Sequence, residues 1–375
     1  MKTGTILYVG NFELPDKNAA AHRVVNNAKL FRLLGYRTVF LGTCREDEPF
    51  SGVKKRNYDI GFDVFEQSYP ATTRQWVEQI FDTDHIRLVA REYPDLTAII
   101  LYNTQFATLL AVRKAFSDRG ISVLYDCTEW NGRTDGAFLK RIVKKADSYL
   151  IEKRLAGNCD GVIAVSEKMR RAYAKSDPLL LPPLVDLSDP IWRQERVPNE
   201  RFTFCYAGSP SDKDRLDILI EAFSRLDISS AELRVIGVSA REYADAAGVA
   251  ESELPENVLF AGRLSHDRTV REILSCGCFV FLRESSRRNT AGFPTKFVEA
   301  FTCGVRVITT SVSDVEAYAD DNCIIIPDLS SDGVYRAMWE AMSMNTPSSL
   351  RDAFDYHNYA DGCRRRFERI TCRKD

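Results

Sequence analysis

Read for polarity alone, the chain alternates short runs dense in β-branched and aromatic residues with longer stretches whose apolar residues recur every three to four positions. That alternation is the pattern of parallel strands joined by crossover helices. In the first half the strand-like runs fall at residues 5–9, 38–42, 98–102, 122–125 and 161–165. Residues 19–34 carry apolar residues at helical spacing, and Gly35 follows as a residue suited to end a helix. The series breaks at residues 179–198, where Pro182, Pro183, Pro190 and Pro198 interrupt any periodicity and the stretch reads as an interdomain linker. A second series then begins, with strand-like runs at 202–207, 233–237, 258–261, 279–282, 307–310 and 323–326.

Two successive α/β series predict two Rossmann-like, doubly wound parallel-sheet domains, residues 1–187 and 199–353. A closing helix at about 354–375, aromatic and then basic, would pack back on the first domain. Ligands in such sheets gather beyond the carboxyl ends of the strands, so chemistry is sought there. A length of 375 residues suits two domains, and a net charge of -2 gives no global pull toward nucleic acid. The ten cysteines are scattered through apparent strands and helices with no CxxC pair, which favours reduced, buried thiols. The chain runs from Met1 into an apolar strand with no charged leader and has no run of about eighteen apolar residues, so a cytoplasmic protein without membrane spans is expected.

The most informative segment runs from Ala291 through Gly292, Phe293, Pro294, Thr295, Lys296 and Phe297 to Glu299. A Gly-Phe-Pro turn that opens a helix leaves backbone N–H groups and the positive end of the helix dipole free to cradle a phosphate. Thr295 and Lys296 stand in that first turn, and Glu299, one turn on, is placed to accept hydrogen bonds from vicinal hydroxyls. The bland alternative is a proline at the first helical position beside an ordinary surface Lys and Glu. Upstream, the run ending at Ala207 is followed by Gly208, Ser209 and then Lys213 at the mouth of the next helix, a place to neutralise a second phosphate. Arg283, Arg287 and Arg288 follow the run ending at Leu282. Arg283 and Arg288 are the favoured candidates for clamping a pyrophosphate, against a solvated charge run.

Taken in order, Tyr-Ala-Gly-Ser-Pro with a nearby Lys-Asp, Ala-Gly-Arg-Leu-Ser, Ala-Gly-Phe-Pro-Thr-Lys-Phe-Val-Glu and Cys-Gly-Val resemble the bacterial retaining glycosyltransferases of family four. The likeness is strongest over residues 202–326. It implies a GT-B fold, two Rossmann-like domains facing each other across a cleft. It also implies transfer of a sugar from a nucleotide diphosphate donor to an acceptor hydroxyl, as in surface polysaccharide or glycan assembly. By the same resemblance Lys213 and the Gly292–Thr295 turn hold the diphosphate, Glu299 binds the ribose, and Arg263 and Leu264 meet the base. The sequence departs from the family pattern at Ala291, where the Glu-x7-Glu motif has its first glutamate, and at Ser209, where an arginine is common.

The first domain would supply the acceptor site for a glycan or a lipid-linked acceptor. Asp126 and Glu129, after the run ending at Tyr125, are candidates to orient or deprotonate an acceptor hydroxyl, and Trp130 to stack on a sugar. His22 at the start of the first long helix and Asn103 after the third strand are further acceptor-side candidates. Each also has a purely structural reading, as a cap, a turn residue or a core histidine. Asp82-Thr83-Asp84 matches the carboxylate pair that holds a metal in other glycosyltransferases, but it sits in helical-looking sequence and reads as a solvated helix terminus. No metal or other cofactor is expected, and the nucleotide sugar is a co-substrate. The first strand is followed by Val-Gly-Asn-Phe rather than Gly-x-Gly-x-x-Gly, which disfavours a nicotinamide dehydrogenase.

Two rivals remain: a non-catalytic GT-B nucleotide-binding module, motivated by Ala291 and Ser209, and a nucleotide-sugar epimerase on the same fold. Finally, residues 137–155 carry Leu139, Ile142, Val143, Ala146 and Tyr149 at helical spacing among Lys140, Arg141, Lys144, Lys145, Lys153 and Arg154. Such a helix either packs its apolar stripe on the first sheet or rests on anionic lipid at the inner face of a membrane.

Overall fold

A computed structural model describes residues 4–46, 50–130, 138–197, 199–208, 214–226, 231–344 and 349–371, with 138–140 and 371 described for the backbone only. The chain divides into two compact units, Met1–Val185 with Asp355–Asp375, and Asp186–Phe354.

The strands of the first unit are β1 (Thr5–Gly10), β2 (Arg37–Cys44), β3 (Lys54–Arg56), β4 (Asp63–Ser68), β5 (Leu96–Tyr102), β6 (Ser122–Cys127), β7 (Gly161–Ala164) and β8 (Leu179–Leu180). They form one sheet in the order β3-β4-β2-β1-β5-β6-β7-β8. Every pairing is parallel except that of the edge strand β3, which runs antiparallel to β4. The central strands are buried from end to end, which explains why they read as continuous apolar runs rather than as alternating ones.

The helix Ala19–Leu33 crosses from β1 to β2. Asn18 caps its start by accepting from the Ala21 N–H at 2.9 Å, and Gly35 at φ 92° lets the chain turn back immediately after it. Its inward face joins Tyr8, Phe12 and Phe40 in an aromatic core. The helix Ala360–Thr371 closes this core from the far end of the chain: Phe367 lies 5.0 Å, ring to ring, from both Phe31 and Tyr36, and Ser122 Oγ donates to the Ile370 carbonyl at 3.1 Å.

The opening of the segment expected to be a linker is instead the eighth strand. Leu179 pairs with Ile163, the Leu181 N–H donates to the Ala164 carbonyl at 2.9 Å, and Leu181 and Leu184 are buried. Pro182 and Pro183 follow the paired residues, where no ladder N–H is required.

The second unit contains β9 (Phe202–Ala207), β10 (Ala231–Ile236), β11 (Val258–Gly262), β12 (Cys278–Phe281), β13 (Arg306–Thr310) and β14 (Cys323–Ile326). Its order is β11-β10-β9-β12-β13-β14, and the pairings are parallel. The chain therefore winds outward from β9 to β11, returns, and winds the other way from β12 to β14. The two directions part between β9 and β12, and at such a switch point the loops diverge and open a crevice at the carboxyl edge. The nine described cysteines are free thiols, all but Cys323 buried. Burial pushes the Cys127 thiol up to about 12, which keeps it protonated and unreactive.

Candidate functional site

The carboxyl edge of the second sheet is shaped by two glycines. Beyond β9 the Gly208 N–H donates to the Ile236 carbonyl at 3.0 Å, and beyond β10 Gly237 adopts φ 109°. A Cβ at Gly237 would stand 1.9 Å from the Gly208 carbonyl oxygen, so the two loops touch backbone to backbone. Ser209 and Lys213, expected at the diphosphate, lie outside the described residues.

The far end of that loop is tied down. Asp214 forms an isolated bridge with Arg283, whose Nε and Nη2 donate to Asp214 Oδ1 at 3.0 and 2.8 Å. The Arg283 guanidinium also stacks over Phe281, 4.6 Å from the ring centroid, and its backbone exchanges hydrogen bonds with Thr310 Oγ1. The Nε–Nη2 side of the guanidinium is thus engaged with Asp214 and ties that residue to the end of β12. Arg288 is half-buried in the short helix Arg287–Ala291, whose start is capped by Ser286.

The helix Thr295–Thr302 begins at this edge. Pro294 occupies its N-cap position with no side-chain cap bond, so the first turn directs backbone N–H groups toward the edge. Phe293 is buried in a cluster with Phe354 and Tyr318 at ring distances of 5.7 and 5.6 Å, so it anchors the turn and offers a ligand only its backbone. One turn into the helix, Glu299 accepts from Lys296 Nζ at 2.8 Å on one oxygen, and its other oxygen lies 3.8 Å from His266 Nε2.

His266 opens the helix His266–Ser275, capped by Ser265, directly after Arg263 and Leu264. The structure thus brings the Arg263–Leu264 turn to the Gly292–Glu299 segment through His266, which the sequence reading did not single out. Its position just beyond β11 in the Ala-Gly-Arg-Leu-Ser stretch was the available signal. Glu299 retains only 14% exposure, held between a lysine and a histidine.

At the first sheet two expectations are overturned. Asp126 is completely buried. Its carboxylate accepts from Arg23 Nη2 at 2.7 Å, from Arg23 Nε, from the Tyr8 hydroxyl and from Asn27 Nδ2. A carboxylate with this many donors and no solvent access does not reach an acceptor hydroxyl; it is the counter-ion of a buried arginine. Burial first, and the Asp126 charge second, push the Tyr8 phenol well above its ordinary range, so it remains a donor. Trp130 is likewise buried, with its Nε1 donating to Tyr173 Oη at 2.8 Å, and its ring is not presented for stacking on a sugar.

Asn103, at φ 45°, ties β5 to the end of β6 by bonding both the backbone and the hydroxyl of Thr128. Glu129 and His22 are half-buried at strand and helix ends of this edge. Asp82 ends one helix and Asp84 begins the next, as a helix terminus reading requires.

The same edge contains a cavity of 320 Å³ that the sequence reading missed. It is lined by Gly10 at the end of β1 and Asn11 after it, Gln67 of β4 and Tyr69 just beyond it, Trp76 and Gln79 of the helix Thr73–Phe81, and His85, Gln105 and Thr108. His85 Nδ1 and Gln67 Oε1 are 2.8 Å apart. Amides, hydroxyls and aromatic rings dominate this lining, a set that suits a polyhydroxylated ligand.

Residues 188–359 match the family described as Glycosyl transferases group 1. No curated protein sequence matches the chain. Among solved structures, sucrose-phosphate synthase from Thermosynechococcus elongatus is similar over 98% of this chain and 99% of that one, at 12% identity and a TM-score of 0.67. HepE of Anabaena, solved in complex with UDP and glucose, is similar over 98% of this chain and 100% of its own, at 13% identity and a TM-score of 0.63. WaaG, a glycosyltransferase involved in lipopolysaccharide biosynthesis, is similar over 95% of each chain, at 16% identity and a TM-score of 0.59. At these identities the likeness is one of fold, and the fold is GT-B, with two parallel-sheet α/β domains.

Proposed function

We propose that this chain is a glycosyltransferase that takes a sugar from a nucleotide diphosphate donor held by the second unit and passes it to a hydroxyl of a carbohydrate acceptor held by the first. The observation that carries the reading is Glu299 between Lys296 and His266, one turn into a helix whose uncapped start faces the carboxyl edge beside the Gly208 and Gly237 loops. Charge on a departing diphosphate is stabilised there by backbone N–H groups and by Lys296, with Lys213, the residue before Asp214, as a further cation. The Glu299 carboxylate accepts from the ribose hydroxyls. These cations take the part of a metal ion at the departing diphosphate, and retention of the anomeric configuration is what the resemblance to the family-four enzymes implies. The match to a group 1 domain over residues 188–359 and the UDP and glucose bound by HepE support the donor class.

On the acceptor side, the cavity at Gln67, Trp76 and His85 takes over the role that the sequence reading gave to Asp126 and Trp130. Its lining carries Glu78 and Asp82 and, among the described residues, no lysine or arginine, so a neutral sugar is preferred to a sugar phosphate.

The test is a panel of nucleotide diphosphate sugars offered with neutral glycoside acceptors, with the product followed by NMR in the presence of a chelator. A new glycosidic bond of the donor's own anomeric configuration is expected, with turnover unaffected by chelation. Nucleotide affinity without turnover would make the chain a binding module, and isomerised free donor without acceptor would make it an epimerase.

A further inference from the structure

The helix Phe138–Arg154 is turned the opposite way from a crossover helix that buries its apolar stripe. Ile142, Val143, Tyr149 and Leu150 are 49%, 46%, 61% and 36% exposed, and Ala146 is exposed between them. The positions that face the protein are Asp147, Ser148, Ile151 and Leu155. Asp147 explains the rotation. Its carboxylate accepts from the Phe106 N–H at 2.8 Å, at the start of the helix Phe106–Phe116, whose own N-cap Gln105 makes no side-chain cap bond. The orphan donors of one helix thus hold the side with Asp147 inward, together with Ile151 and Leu155, and leave the side with Ile142, Val143, Tyr149 and Leu150 out. The expectation that the stripe packs on the first sheet is overturned.

At 3.6 residues per turn the exposed apolar residues share one arc, with Arg141 and Lys145 along one border, Arg154 along the other, and Lys153 near its end. All four cations are exposed, and Lys153 is paired with Glu152 at 3.0 Å, which leaves Arg141, Lys145 and Arg154 as the principal lipid-facing charges. The carboxylates of this helix are withdrawn, Asp147 to its cap bond and Glu152 to 11% exposure.

We infer that this face seats on an anionic lipid surface, with Ile142, Val143, Tyr149 and Leu150 entering the headgroup boundary and the flanking cations meeting lipid phosphates. An apolar arc bordered by cations is complementary to a layer that is apolar below and negative above. The amphipathic ring of Tyr149 suits the boundary itself. A second copy of the chain is a poorer occupant, because pairing this face with itself would set cation against cation. The inference does not depend on the transferase reading, since it concerns a helix distant in sequence from the donor residues and is read by binding alone.

The experiment is cosedimentation of the full chain with vesicles of phosphatidylcholine containing phosphatidylglycerol, and with phosphatidylcholine alone, at low and high salt. The protein is expected to sediment with the anionic vesicles at low salt and to be released as salt is raised. Arg141→Gln with Lys145→Gln should lower partitioning roughly fivefold per cation, and Ile142→Ser with Tyr149→Ser should lower it further. These positions are exposed, so both variants should melt with the wild type. A Tyr149→Trp reporter gives a readout independent of sedimentation, a blue shift of emission on adding anionic vesicles. Wild-type protein left in the supernatant at low ionic strength, or binding unchanged in both double variants, overturns the inference. So does a self-associated state that dissolves in Ile142→Ser/Tyr149→Ser without vesicle binding, which would assign the face to a second copy.

Discussion

Replacing Asp126 by asparagine separates a structural carboxylate from a catalytic one. The change preserves volume and removes one negative charge from a site where Arg23 is 4% exposed and Asp126 not at all. Arg23 would keep its bonds to the Leu181 and Pro182 carbonyls, but its charge would lose the one carboxylate bonded to it among the described residues. Breaking a buried pair by removing one partner costs about 3–5 kcal/mol, whereas an exposed pair is worth about 0–1 kcal/mol.

The loss is a large fraction of the roughly 5–15 kcal/mol that holds a typical domain folded. At about 2–4 °C per kcal/mol for a domain of 150–250 residues, the melting temperature should fall by about 6–20 °C. Thermal unfolding of the variant measures this, with the exposed pair Arg74–Glu78 as control: Arg74→Ala should shift the transition by no more than a few degrees. Transferase turnover assayed well below both transitions should be retained. An unchanged melting temperature with turnover abolished would refute the structural assignment and return Asp126 to the chemistry.

Glu299→Gln should weaken nucleotide binding by about 10-fold to 100-fold, the worth of a hydrogen bond to a charged group, with a melting temperature near wild type; titration calorimetry against UDP and GDP reads it. Gly237→Ala should disrupt the donor edge, because the new Cβ meets the Gly208 carbonyl at 1.9 Å and φ 109° is strained for any side chain; reduced nucleotide affinity together with a lowered melting temperature is expected. The Asp147 carboxyl is raised by burial, opposed by its bond from Phe106. A raised acid supports the fold fully below its unfolded pKa and loses that support as pH rises through its folded pKa. Asp147→Asn should therefore gain stability relative to wild type as pH increases from the acid range toward neutrality, seen as diverging melting temperatures; parallel curves would contradict it.

What the sequence determined by itself is what depends on a few consecutive residues. The runs at β1, β9 and β13 are rich in β-branched and aromatic residues and almost wholly buried, because both faces of a parallel sheet are covered, so their identity and the alternation with helices were legible without partners. The Gly-Phe-Pro turn and the acidic residue one helical turn beyond it are also local, and they marked the start of the helix Thr295–Thr302. Strand β4 was not legible, since its sequence Asp-Val-Phe-Glu-Gln-Ser has only two apolar residues in six and is held by pairing with β2.

The roles of single charged residues were decided by the tertiary structure. Asp126 looked catalytic because it follows a strand, and its real partner lies 103 residues away at Arg23. The Nε–Nη2 side of Arg283 is held by Asp214, 69 residues distant, a partner that no local pattern announces. The outward face of the helix Phe138–Arg154 was set by a backbone N–H at Phe106, 41 residues before Asp147. Periodicity establishes that a helix has an apolar side. Which way that side points depends on which polar groups elsewhere in the fold would otherwise be buried without a partner.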